Sequence, residues 1–200
     1  MNKKLLLGIG IMLIASVFYF SFAKEPDISN VQVIEHVKGL DTALVEIIEF
    51  SDYECPFCVR FARQTLPMIK EKYIDTGKVK FIFKDYPLKF HKFAQKAAEA
   101  AECASDQGKY YAMHDMLFSR GVGKPELYKQ YAKELGLNEA EFNSCLDSGK
   151  YENAVKAEME QGKKLGVKGT PYFIINGKVI KGAQPFDVFE EVIEQALAEA

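Results

Sequence analysis

Apolar and polar positions follow one another along this chain in stretches whose period changes, and those changes mark its elements. Val45-Glu46-Ile47-Ile48-Glu49-Phe50 is a short apolar run with the length and branching of a buried strand. Ser51 and Asp52 come next with helix-capping side chains, and Pro56 suits a first helical turn, where its missing N–H leaves nothing unpaired. Phe61, Thr65, Leu66, Ile69 and Tyr73 keep helical spacing, with Pro67 expected to kink the helix and Gly77 to end it. Val79 to Tyr86 places Val79, Phe81 and Phe83 on one face and Ile82 on the other, which predicts a second buried strand. Strand, helix, strand in this order predicts a parallel pair with a right-handed crossover.

After Pro87 the period becomes helical for a long stretch. Ala94 to Ala104 is alanine-rich, Gly108 interrupts it, Tyr110 to Phe118 resumes, and Glu126 to Leu135 continues after a Gly-Pro break. A further helix is predicted near Asn138, which has capping-box spacing to Glu141. Strand character returns at Tyr172-Phe173-Ile174-Ile175 and again at Lys178-Val179-Ile180-Lys181. Asn176-Gly177 lies between them, a pair suited to the positive φ angles of a type I′ hairpin turn. A last helix starts at Pro185, with Phe186, Phe189, Val192, Ile193 and Leu197 on one face. The pattern as a whole predicts an α/β fold: a mixed central sheet with flanking helices and an inserted all-helical domain.

The N-terminus breaks this pattern. Lys3 and Lys4 precede Leu5 to Ala23, which carries no charge, and polar residues resume at Lys24-Glu25-Pro26-Asp27. Residues 1–23 are therefore expected to be an export signal. Ser21-Phe22-Ala23 offers small residues for cleavage, and the run is also long enough to stay as a membrane anchor. In either case the flanking lysines direct the rest of the chain to the extracytoplasmic side, the periplasm or the outer face of the membrane. A net charge of −2 with interspersed signs excludes a nucleic-acid stripe, and 48% hydrophobic content is that of a globular chain.

In an oxidising compartment the four cysteines favour disulfides, and no second C-x-x-C or His pair completes a metal site. Cys55 and Cys58 flank Pro56 and Phe57 at the predicted strand-to-helix junction. At a helix N-terminus Cys55 faces unpaired N–H groups and the positive dipole end, which favour its thiolate. Cys58 lies one turn deeper, close enough to bridge it. The expected chemistry is thiol-disulfide exchange through an exposed Cys55 sulfur, with no cofactor and no metal. Glu49 lies in the strand beneath; Glu46 and Glu49 cannot share a face, so a buried Glu49 with a raised pKa is weighed against one at a sheet edge. Cys103 and Cys145 lie on two helices of the insert, where a structural bridge, buried free thiols or an electron relay are all open. The three histidines are uninformative; His91 is expected to be solvated or to cap a helix.

"EFSDYECPFC", the Gly169-Thr170-Pro171 before the hairpin, and the helical insertion between them resemble the DsbA-like branch of the thioredoxin superfamily, over roughly Val31 to Ala198. The resemblance implies a thioredoxin fold in two halves, 24–90 with the C-x-x-C and 168–200 with a cis-proline loop and hairpin, around a helical insertion, 91–167. It implies a cis Thr170–Pro171 bond packed against the C-x-x-C, beside which extended substrate pairs, and Glu49 as proton acceptor for Cys58. It further implies a monomeric dithiol oxidase acting on reduced exported polypeptides. Its reoxidant would be a quinone-linked membrane protein of the DsbB or vitamin K epoxide reductase type. Phe57 stands where strongly oxidising relatives carry histidine, so isomerase or reductase action is the alternative; a redox-inert binding or holdase module is the third.

Overall fold

The computed structural model describes residues 35–200. The expected export segment, residues 1–23, lies outside the described residues, and among those described no helix is long and apolar enough to cross a membrane.

Five strands form one mixed sheet in the order β1-β3-β2-β4-β5, with β1 Val37–Lys38, β2 Val45–Ser51, β3 Val79–Asp85, β4 Tyr172–Ile175 and β5 Lys178–Lys181. β2 and β3 are parallel, Glu49 opposite Phe83 and Ser51 opposite Asp85; the other pairs are antiparallel. β1 has only two residues, too few to show a period in the sequence. The hairpin turns at Asn176 and Gly177 with φ of 42° and 86°.

Between β2 and β3 the chain is helical from Pro56 to Ile74: α1 Pro56–Arg60, a π-helical turn, α2 Leu66–Ile69 and a second π-helical turn. The kink expected at Pro67 takes the form of these widened turns, which rearrange the hydrogen bonds that a ring without an N–H would disrupt. Between β3 and β4 come α3 Ala94–Ser105, α4 Tyr110–Arg120, α5 Pro125–Glu134, α6 Glu139–Ser148 and α7 Glu152–Lys164; α8 Phe186–Ala198 ends the chain. Asn138 caps α6 by accepting from the N–H groups of Ala140 and Glu141, and its amide donates to Glu141 at 2.8 Å.

The larger core fills the sheet face that carries Ile47, Phe81, Phe83 and Phe173, against Phe61 and Phe189. A smaller one, Phe50, Tyr86, Val167 and Tyr172, lies on the other face. There α7 approaches so closely that a Cβ on Gly162 would stand 2.8 Å from the Tyr86 ring and 2.9 Å from Phe50. Buried charges tie the same helix to β3: Glu158 receives the Lys84 ammonium at 3.1 Å and the Asp85 N–H at 2.6 Å. From sequence alone, Lys84 and Glu158 look like surface charges.

Cys103 on α3 and Cys145 on α6 form a disulfide, with Cα atoms 5.9 Å apart and a sequence separation of 42. The chain-entropy model values a loop of that length at about 4 kcal/mol. Replacing both cysteines by alanine is expected to lower thermal stability while leaving the rate of oxidation of a reduced test protein within a few fold. Thermal melts and a refolding assay on the same preparation check both halves.

Candidate active site

The site is built at the carboxyl end of β2. Cys55 is the N-cap of α1, with extended φ/ψ of −72° and 121°; its carbonyl accepts from Val59 N–H at 3.0 Å and Pro56 opens the helix. Its Sγ therefore sits where the backbone N–H groups of Phe57 and Cys58 point outward. Cys58 lies one turn on, within α1. Both are free thiols, so the structure describes the dithiol state.

Two chemically unlike thiols result. Cys55 is pulled down to about 5, chiefly by the hydrogen bond from the Cys58 thiol, with help from Thr170 and the N–H groups of Cys58 and Phe57. Cys58 is pushed well above the usual thiol range, first by burial and then by the neighbouring Cys55 and Glu49. The Cys55 stabilisers are a thiol, a hydroxyl-bearing loop and backbone, and none depends on the side chain at position 57. The apolar Phe57 thus does not prevent a stable thiolate.

The peptide bond between Thr170 and Pro171 is cis, and the Thr170 carbonyl accepts from the Cys55 thiol at 3.5 Å. The Cys55 sulfur is not exposed, contrary to what the sequence leads one to expect. Cys55 retains 4% of its accessible surface and Cys58 none, because the Thr170–Pro171 loop covers the sulfur, while Phe57 stands 54% exposed beside it. The Arg60 guanidinium lies 5.2 Å from the centre of the Phe57 ring and donates to the Ala183 carbonyl.

Glu49 points into the larger core below the dithiol, 2% exposed, and burial pushes its carboxyl up to about 8. Glu46, on the other face, pairs with Lys80 at 2.8 Å. Strand alternation thus resolves in favour of a buried Glu49.

The sequence suggests only capping chemistry for Asp52 and a solvated or capping role for His91; together they form a buried tether. The Asp52 carboxylate accepts from the N–H groups of Glu54 and Leu88 and pairs with His91 Nδ1 at 2.8 Å. Glu54 adds a bond to the Phe93 N–H at 2.7 Å. The loop after β3, including the exposed Phe90, is thereby fixed to the turn that carries Cys55. Only the acid-rich "SDYE" next to the first cysteine hints at it, because the partners lie more than thirty residues away.

This is a redox-type dithiol at a helix N-cap, facing a cis-proline loop on a mixed sheet, which is the arrangement of thioredoxin-fold proteins. The thioredoxin family model matches residues 32–195. Disulfide bond formation protein D of Bacillus subtilis is 32% identical over 171 residues, which cover 80% of this chain and 76% of that protein. The crystal structure of oxidised BdbD from Bacillus subtilis superposes with a TM-score of 0.75 at 30% identity, covering 82% of this chain and 93% of that one. Wolbachia pipientis alpha-DsbA1 gives 0.73 at 27%, covering 82% and 92%. The chain also matches the Na(+)/H(+) antiporter NhaA 3 of Salinispora tropica at 31% identity, over 83% of this chain; it spans only 25% of that protein's length. The chain belongs to the thioredoxin family, in its DsbA-like branch of thiol:disulfide oxidoreductases.

Proposed function

We propose that this chain is a dithiol oxidase that introduces disulfides into exported polypeptides outside the cytoplasm, acting through Cys55 and Cys58. The opposed titration of the two thiols carries this reading: a Cys55 thiolate stable to about pH 5 stabilises the reduced form, and a pair whose reduced form is stabilised is an oxidant. The similarity to disulfide bond formation protein D supports the direction.

In the oxidised enzyme a client thiolate attacks Cys55 Sγ; the Cys55–Cys58 bond breaks and Cys58 leaves as a thiolate that takes a proton from Glu49. A second client thiolate attacks the client sulfur of the mixed disulfide. A client disulfide forms, and Cys55 leaves as the stable thiolate. Client backbone lies along the Thr170–Pro171 loop, Phe57 offers an apolar contact, and residues 91–167 are a helical insertion between the halves 24–90 and 168–200. A quinone-linked membrane protein of the DsbB or vitamin K epoxide reductase type reoxidises the dithiol, and residues 1–23 deliver or anchor the monomer outside the cytoplasm.

The test is the reduction potential of the Cys55–Cys58 couple against glutathione, with the initial rate of oxidation of a reduced test protein. An oxidase is expected to lie near or above the compartment's poise and to transfer its disulfide rapidly. A potential well below it would make the protein a reductase, and the absence of a fast-reacting thiol would leave only a binding module.

A further inference from the structure

Ser51 lies two positions after Glu49 on β2, so both side chains face the larger core, and α1 places Cys58 over the same end of the strand. All three are buried: Ser51 is 1% exposed, Glu49 2% and Cys58 0%. Ser51 Oγ and Glu49 Oε1 have no hydrogen-bond partner in the dithiol state. A buried hydroxyl without a partner is destabilising, and a carboxyl more so, and two on the same strand face call for an explanation. Ser51 Oγ bonds to neither Glu49 below nor Cys58 above in the dithiol state, and its dipole favours the ionised form of both.

We propose that Ser51 is a proton relay between Cys58 and Glu49. The inference rests on the proposed exchange at Cys55 and Cys58 and on Glu49 as its proton acceptor. When Cys58 attacks a mixed disulfide on Cys55, its S–H proton passes to Ser51 Oγ while the Ser51 proton passes to the Glu49 carboxylate. The Cys55–Cys58 bond forms, and the former partner leaves as a thiolate. In the opposite direction, when a client opens the Cys55–Cys58 bond, Glu49 returns the proton through the same hydroxyl to the leaving Cys58. The remaining ionisable neighbours are Cys55 on α1, Asp85 beside Ser51 on β3, and Tyr111 on α4. Burial raises Asp85 and Tyr111 above their usual ranges, and β4 presents only Phe173 opposite Glu49.

The experiment starts from full-length protein carrying glutathione as a mixed disulfide on Cys55 and follows glutathione release by stopped flow across pH. Wild type, Ser51→Ala, Ser51→Gly, Ser51→Thr and Glu49→Gln are compared, each checked by circular dichroism. Without the hydroxyl, release is expected to slow about ten- to hundredfold near neutral pH and to converge on wild type at high pH, where hydroxide takes the proton directly. Ser51→Thr should retain most of the rate. If Ser51→Ala and Ser51→Gly superimpose on wild type while Glu49→Gln is slow, the relay is overturned and Glu49 keeps its role. If all profiles superimpose, both fall. A slowing by the same factor at every pH that Ser51→Thr does not rescue would mean that Ser51 only supports packing, which also overturns the relay.

Discussion

Cys58→Ser is expected to accumulate mixed disulfides on Cys55 when mixed with oxidised client peptides, and Cys55→Ser to accumulate almost none. The asymmetry arises from geometry and charge together. Cys55 caps α1, carries the thiolate down to about pH 5 and sits under the Thr170–Pro171 loop at the surface. Cys58 has no accessible surface, and burial with a neighbouring carboxyl and thiol hold it protonated. A bulky substrate can therefore form its bond only with Cys55, and only Cys58 can release it from within. Either replacement should cost at least about 10³-fold in catalysed oxidation, because a serine hydroxyl neither forms nor accepts a disulfide. Non-reducing gels with mass spectrometry of the trapped species measure the asymmetry. Equal trapping by both variants would remove the basis for ordering the two cysteines.

Glu49→Gln should make the protein more stable at neutral pH. The carboxyl is raised from its ordinary 4.5 to about 8, so the folded state holds a proton that the unfolded state has already released over that interval. A raised carboxyl is a penalty: absent below about pH 4.5, growing through the interval, complete above about 8. At pH 7 it amounts to about 3 kcal/mol. Glu49→Gln is expected to be more stable than wild type by that order at neutral pH and nearly equal to it below pH 4.5. Urea titrations of the reduced proteins across pH would show it; a gain independent of pH would mean that Glu49 is not ionising in the core. The same variant should lose rate in the steps that need a Cys58 thiolate. Attack by external thiolates on oxidised Cys55 should change far less. Cys58 and Glu49 interact, so the apparent pKa values belong to the pair.

The contrast between local and distant determinants explains which features are legible in the sequence. β2, the helical start at Pro56, the Asn176-Gly177 turn and the Asn138 cap are written in neighbouring residues, and each lies where the local pattern puts it. β1 is too short to carry a period, and α7 reads as polar because Gly162 and a buried Glu158 make up much of the surface it buries, beside Val155 and Ala157. Lys84, Asp85 and Glu158 resemble surface charges until the fold brings them together. Asp52 and His91 are separated by 39 residues, so no local signal could link them. The degree of Cys55 exposure is likewise unreadable, since the loop that covers it arrives from 115 residues away.

That cover sets the shape of what can reach the sulfur. A sulfur recessed beside Thr170 and flanked by the projecting Phe57 admits a narrow strand bearing a cysteine, whereas a cysteine set flush in a finished protein surface cannot descend to it. The recess therefore acts as a filter on shape, open to a cysteine carried on an extended segment and closed to one held flush in a folded surface.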